Sequence, residues 1–314
     1  MSEKLLSLPE SMTSETDISQ FIVQQVPFVD KTDMIRKLLL SRGPYFLARP
    51  RRFGKTLLLD TIENIALGNK ELFQNKDIMK ATPKYDWKTF PVIHIDMSDV
   101  SSDPKLFEKS LANNLVNHAN HHEVNVDMST PAGIFTSLIS QLSLRHDPYV
   151  QPASKLSKTY NRQNVIILID EYDYPLTSNI GDNDKIEKIR SGLRDFYSAI
   201  KKNRYFYRFV FITGVSNFYQ MSPLSGLNNV TDITFNTNYS SICGFTKIEI
   251  IKTFEKYLPY TLDKMKQRNI MGIKSTVRDL MKNIEDWYDG YSWDGNTNVL
   301  KSIFSYELSN SWTF

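Results

Sequence analysis

Hydrophobic positions along the chain follow two rhythms. The first is short apolar runs: Tyr45-Phe46-Leu47-Ala48, Pro91-Val92-Ile93-His94-Ile95-Asp96, Val165-Ile166-Ile167-Leu168-Ile169-Asp170 and Arg208-Phe209-Val210-Phe211-Ile212-Thr213. The unbroken run at 165–169 fits a strand covered on both faces, as in a parallel sheet between helices. The second rhythm is helical. Met34 to Leu40 suits a short helix that starts near Thr32 or Asp33 and stops at Gly43-Pro44. Apolar residues at 57, 58, 62, 65 and 66 mark one helix face, with Gly68 as C-cap. Residues 103–120, 133–145 and 184–202 read as further helices. Strands alternating with helices predict an α/β fold.

The rhythm changes near residue 245. Thr246-Lys247-Ile248-Glu249 is a capping-box signature that opens a helix to about Leu258. Ser275 to Tyr288 reads as another helix, and Asp294-Gly295-Asn296 as a turn. The predicted organisation is a loosely held polar segment over 1–20, an α/β domain over 21–245 and a smaller, mainly helical, lid-like subdomain over 246–314.

Composition adds exclusions. A net charge of +3 from 38 basic and 35 acidic residues gives no argument for nucleic acid. The single cysteine, Cys243, excludes an intramolecular disulfide and reads as a small buried apolar residue. The N-terminus lacks the basic flank and long apolar run of a signal peptide, and no run approaches the length of a membrane span. The reading is a soluble, intracellular, cytoplasmic protein without a membrane partner.

The chemistry lies in Arg49-Pro50-Arg51-Arg52-Phe53-Gly54-Lys55-Thr56. This stretch joins an apolar strand to a helix and ends in Gly-Lys-Thr, the ending of a phosphate-binding loop (Walker A). Such a loop aims backbone N–H groups and a helix N-terminus at phosphates. Gly54 permits close approach, Lys55 reaches the β- and γ-phosphates, and the Thr56 hydroxyl ligates Mg²⁺. Arg49 stands where the common pattern has glycine. Arg51 and Arg52 could touch phosphate or pair with surface acids.

A second motif matches the first. Asp170-Glu171 ends the apolar 165–170 run, as a metal-side acid (Walker B) must. Asp170 is the candidate Mg²⁺ partner and Glu171 the base that polarises water, with Asp173 an alternative base. A strand over 92–96, between the loop strand and the acid strand, suits the ATPase branch that carries this adjacent glutamate. Thr213-Gly214-Val215-Ser216-Asn217 ends the next strand, where Ser216 or Asn217 could sense the γ-phosphate. Arg190 and Arg194 are weaker candidates for an arginine finger. His118, His121 and His122 read as a polar helix end, since no Cys or H-E-x-x-H pattern accompanies them.

Together these elements resemble the AAA-ATPase-like family, P-loop ATPases often joined to a nuclease-like domain. The resemblance runs from Phe28-Val29-Asp30-Lys31-Thr32 through the 45–56 stretch, Pro91-Val92-Ile93 with Asp96 and Ser98, and Asp170-Glu171-Tyr172-Asp173 with Pro175-Leu176. It continues through Thr213-Gly214-Val215-Ser216, Ser225-Gly226-Leu227-Asn228-Asn229 and Cys243-Gly244-Phe245 to Trp287-Tyr288-Asp289-Gly290-Tyr291. It implies a P-loop NTPase three-layer sandwich with a mainly parallel sheet. It also implies an opening loop residue that need not be glycine, and ATP and Mg²⁺ as cofactors. Lys55 and Thr56 then bind phosphate and Mg²⁺, Asp170 supports the metal and Glu171 is the base. Relatives often carry Lys in place of Asn217. After Asn298-Val299-Leu300 the sequence departs from the relatives' route into a restriction-endonuclease-like domain, so nuclease function does not carry over and nucleic acid enters only by family association.

Three readings follow: an ATPase whose output is conformational change, a nucleotide-regulated interaction module with little hydrolysis, and a remnant lacking the nuclease domain. The Asp170-Glu171 pair favours water over a metabolite as phosphoryl acceptor. No Asn-Lys-x-Asp guanine reader is present; Asn229-Val230-Thr231-Asp232 does not match one. The protein partner and oligomeric state are not legible.

Overall fold

The structure is a computed structural model that describes residues 17–127, 129–145, 163–216, 229–288 and 290–301. Helices α1 (Ile18–Val23) and α2 (Thr32–Ser41) precede strand β1 (Pro44–Ala48) and helix α3 (Lys55–Ala66). A short turn of helix, α4 (Asp77–Lys80), leads to β2 (Val92–Asp96), α5 (Phe107–His121) and α6 (Pro131–Arg145). Then come β3 (Val165–Asp170), α7 (Tyr174–Thr177), α8 (Asn183–Lys202), β4 (Tyr207–Gly214) and β5 (Thr231–Asp232). Helices α9 (Lys247–Phe254), α10 (Leu258–Gln267) and α11 (Val277–Tyr288) are followed by β6 (Tyr291–Ser292) and β7 (Asn298–Val299).

Five strands form one parallel sheet in the order β2-β3-β4-β1-β5. All six residues of β3 are buried, which is why its sequence lacks alternation. Two apolar cores cover the two faces. One gathers α1, α2 and α3 with Phe209 and Phe211; the other gathers α5, α6 and α8 with Val210 and Ile212. Successive residues of β4 thus feed opposite cores, the period-2 geometry of a strand. This is the three-layer α/β architecture of P-loop NTPases. Parallel strands place Ala48, Asp96, Asp170 and Gly214 at one edge of the sheet, where such folds build sites.

Three expectations change. The strand lying between β1 and β3 is β4, while β2 flanks β3 on its far side. The loosely held segment does not reach residue 20. Ile18 is fully buried, and its N–H donates to Asp60 Oδ2 at 2.6 Å. The helix opened by Thr246 ends at Phe254, and a separate helix begins at Leu258. Pro259 has no N–H to continue the earlier helix but fits the first turn of a new one.

The capping box at Thr246 forms in full: Thr246 N–H donates to Glu249 Oε2 at 2.8 Å, and Glu249 N–H to Thr246 Oγ1 at 3.3 Å. Glu249 also accepts from Lys31 Nζ at 2.6 Å. Ile250, Phe254, Leu280 and Ile284 share one core with Leu39, Phe53 and Leu59, so the C-terminal helices and the α3 side of the sheet are packed as a unit. Among the described residues, no helix is long and apolar enough to cross a membrane.

Asp60 joins α1 to α3 and yields a pH prediction. Burial, helped by nearby Asp17 and Glu63, pushes its carboxyl up to about 6. The folded chain therefore holds this proton more tightly than the unfolded chain. Its stabilising effect is complete below the ordinary carboxylate pKa and is lost as pH rises through about 6. Asp60→Asn keeps an acceptor for Ile18 without the charge. Allowing for partial exposure, the variant is expected to gain about 1 kcal/mol near neutral pH and nothing near pH 4. Urea unfolding at both pH values measures this.

Candidate functional site

The loop between β1 and α3 is shaped by two left-handed residues, Arg52 at φ 69° and Gly54 at φ 82°, with Phe53 between them. Alternation of this kind turns backbone N–H groups toward one concavity, an anion-binding arrangement. Gly54 is the N-cap of α3, so the positive end of that helix faces the same space. Lys55 is buried, and its Nζ donates across the loop to the Pro50 carbonyl at 3.2 Å.

Thr56 and Asp170 meet. Thr56 Oγ1 donates to Asp170 Oδ2 at 2.7 Å. Asp170 Oδ1 accepts from the Thr213 hydroxyl and, at 2.9 Å, from the Glu171 N–H. A buried carboxylate with three donors is held in one orientation. The hydroxyl and carboxylate form a hard oxygen set that suits Mg²⁺, an ion that keeps several waters and takes few protein ligands. Among the described residues, no group of three or more His, Cys, Asp or Glu is placed to hold a metal ion.

Glu171 stands beside this pair with φ 47°, a left-handed conformation uncommon for a non-glycine residue and often found at functional sites. Burial first, then Asp170 and Asp96, raises its carboxyl pKa, while Lys55 and Arg51 oppose the rise. A carboxylate tuned upward in this way is a stronger proton acceptor.

Asp173 has another task. It is buried and accepts from Val215 N–H at 3.2 Å and Ser216 N–H at 2.9 Å. The Tyr172 hydroxyl donates to the Ser216 carbonyl at 2.9 Å. Gly214 is required by this packing: an added Cβ would lie 2.3 Å from the Tyr172 ring and 2.6 Å from Asp173 Oδ1. Asp173 therefore braces the end of β4, each carboxylate oxygen accepting one backbone N–H. Ser216 is brought to the site edge with its backbone pinned. Asn217 and residues 225–228 lie outside the described residues.

Arg49 and Phe53 also change role. The Arg49 guanidinium is fully buried and donates to the carbonyls of Ala48 and Thr234, each at 2.8 Å, and to Tyr239 and Ser240, each at 3.4 Å. Its carbon lies 4.3 Å from the centre of the Trp293 ring. Burial pushes its pKa down to about 10, which leaves it charged at neutral pH. Its two terminal nitrogens are engaged by protein carbonyls, while the buried Nε has no hydrogen-bond partner among the described residues. Phe53 is buried edge-on against Tyr291 and Trp293, so only its backbone belongs to the loop concavity. Arg51 and Arg52 are exposed.

Several other candidates have contacts of their own. Arg190 pairs with Glu187 on α8. His122 Nε2 lies 3.0 Å from the Val92 carbonyl and its ring meets His121 edge-on. Cys243 is a buried free thiol, raised to about 11 by burial. Thr234 and Trp293 lie outside the motifs, and within Thr213-Gly214-Val215-Ser216-Asn217 the polar role falls in sequence to Ser216 or Asn217, because the Thr213 contact with Asp170 spans 43 residues. The glycine of Thr213-Gly214 was the one available signal for close approach.

A family model described as a predicted AAA-ATPase matches residues 15–223, and the chain belongs to this AAA-ATPase-like family. An uncharacterised protein from the vnfD 5′ region of Azotobacter chroococcum mcd 1 is 32% identical over 270 residues, 85% of this chain and 45% of that protein. The chain thus spans about half the length of this curated relative. Two solved structures also match: the replication initiator DnaA bound to AMPPCP and single-stranded DNA, and AMPPCP-bound DnaA from Aquifex aeolicus. Their TM-scores are 0.36 and 0.34 at 12% and 11% identity, and each match covers 87% of this chain and 61% of the other.

Arg49→Met removes the guanidinium donors from four inward carbonyls, of which Tyr239 keeps the Ile242 N–H, and is expected to cost about 3 kcal/mol in denaturant unfolding. Asp173→Ala strands two N–H groups and is expected to cost about 2 kcal/mol, with Asp173→Asn losing less because one acceptor survives.

Proposed function

We propose that the chain binds Mg²⁺-ATP in the 49–56 loop and hydrolyses its β–γ bond. The observation that carries this reading is the 2.7 Å hydrogen bond between Thr56, in the first turn of α3, and Asp170, which ends β3. That two residues 114 apart in sequence are in contact supports reading them as the metal-binding hydroxyl and the metal-side acid of a P-loop ATPase.

In this reading the backbone of residues 50–55 cradles the phosphates and Lys55 leaves the Pro50 carbonyl for the β- and γ-phosphate oxygens. Thr56 and Asp170 hold Mg²⁺, which when bound neutralises charge on the phosphate oxygens. Glu171 accepts a proton from a water as that water's oxygen bonds to the γ-phosphorus. The bond from the γ-phosphorus to the bridging oxygen breaks, and ADP and phosphate leave. Asp173 and Tyr172 keep the Val215-Ser216 backbone in place, so that Ser216 borders the γ-phosphate. The preference for adenine rests on family membership, and the output is a conformational change passed to a protein partner or a second copy.

Titration with ATP and GTP, with and without Mg²⁺, tests binding. Wild type is expected to bind ATP in a Mg²⁺-dependent way. Lys55→Ala is expected to lose about 10- to 100-fold in affinity, the worth of a charge-assisted contact. Glu171→Gln is expected to keep binding while phosphate release falls about 100-fold or more. Equal binding by wild type and Lys55→Ala would sink the proposal. Binding with no turnover in wild type, unchanged by Glu171→Gln, would instead assign a nucleotide-regulated interaction module.

A further inference from the structure

The 49–56 loop is gripped from outside the segment that the family model matches. Its two flanking side chains, Arg49 and Phe53, converge on the β6–β7 hairpin some 240 residues later. The Arg49 guanidinium lies over the Trp293 ring at 4.3 Å. The Phe53 ring meets Tyr291 edge-on at 4.9 Å and Trp293 at 6.0 Å, and the last two stack on each other at 5.9 Å. Backbone contacts continue the grip. Gly244 N–H donates to the Phe53 carbonyl at 3.0 Å, and Phe245 exchanges two hydrogen bonds with Leu300. A side chain at Gly244 would lie 2.7 Å from the Leu300 carbonyl and 3.0 Å from the Phe53 ring.

The hairpin is built to hold its shape. Asp294 accepts from Asn296 N–H at 2.9 Å, Thr297 N–H at 2.6 Å and the Thr297 hydroxyl at 2.8 Å, which fixes the turn. Trp293 contributes its ring face, and its buried Nε1 has no hydrogen-bond partner among the described residues.

We propose that the hairpin over 291–299 is a positioning element for the nucleotide, with Trp293 and Tyr291 as positioning residues that act through Arg49 and Phe53. This rests on the nucleotide-binding reading of the loop. Phe53 immediately precedes Gly54 and Lys55, so displacement of its ring moves the residues that cradle phosphate. Linkage makes the coupling mutual: if the hairpin sets nucleotide affinity, bound nucleotide stabilises the hairpin by the same factor. The segment that follows β7 is thereby informed of nucleotide state.

Amide hydrogen exchange and nucleotide titration on the whole chain test this. Saturating Mg²⁺-ATP is expected to slow exchange across residues 291–300 in wild type and not in Lys55→Ala. Trp293→Ala is expected to weaken Mg²⁺-ATP binding about tenfold, and Trp293→Phe, which keeps an aromatic face and removes the stranded donor, to restore most of it. If Trp293→Ala fails to fold, the wild-type exchange measurement decides. Lys55-dependent binding with unaltered exchange at 291–300, or wild-type affinity in Trp293→Ala, overturns this inference alone. Absence of Mg²⁺-ATP binding to wild type overturns the nucleotide reading and this inference with it.

Discussion

One buried carboxylate organises the centre of this protein. Asp170 is 1% exposed, and an acid so placed is costly unless donors surround it. Its donors come from three places: the first turn of α3, the end of β4 and the next residue of its own chain. Satisfying Asp170 therefore fixes how the loop helix sits against the sheet and where β3 and β4 end. Glu171, whose N–H completes the set, itself turns into the left-handed region, so the chain changes direction directly after the acid.

Arg49 plays the complementary part on the other side of the loop. Several carbonyls from the chain after β5 turn inward there, and one guanidinium supplies their donors. A glycine at 49 would take the guanidinium donors from those carbonyls, Tyr239 keeping only the Ile242 N–H, and would leave Trp293 without its cation. The departure from the common loop pattern is thus a packing solution. The freedom that phosphate binding needs comes from Gly54 and from Arg52 in the left-handed region. The consequence is a loop whose shape belongs partly to residues 234–301, beyond the segment that defines the family.

Much of this was legible in the residues. The run 165–170 is β3 residue for residue, and the Thr246 capping box forms as its spacing predicts. Gly54-Lys55-Thr56 begins a helix, and Asp170 comes to it. What was not legible shares one cause. Strand order is a long-range property, so the place of 207–214 between β1 and β3 could not be read from the order of runs along the chain. Two-residue strands such as β6 and β7 are too short to show a period. Arg49, Phe53 and Asp173 look like loop residues in sequence because their partners are distant or are backbone groups.

The sequence by itself determined the local chemistry: where strands and helices form, which loop can face an anion, which strand end carries paired acids. These depend on propensity, periodicity and the backbone freedom of particular residues, all encoded within a few positions. Only the tertiary structure decided which of those side chains is available. It committed Arg49 and Phe53 to packing and Asp173 to bracing, and left Lys55, Thr56, Asp170 and Glu171 around one space. Availability depends on what other segments require, because a buried donor or acceptor must be satisfied wherever its partner lies in the chain.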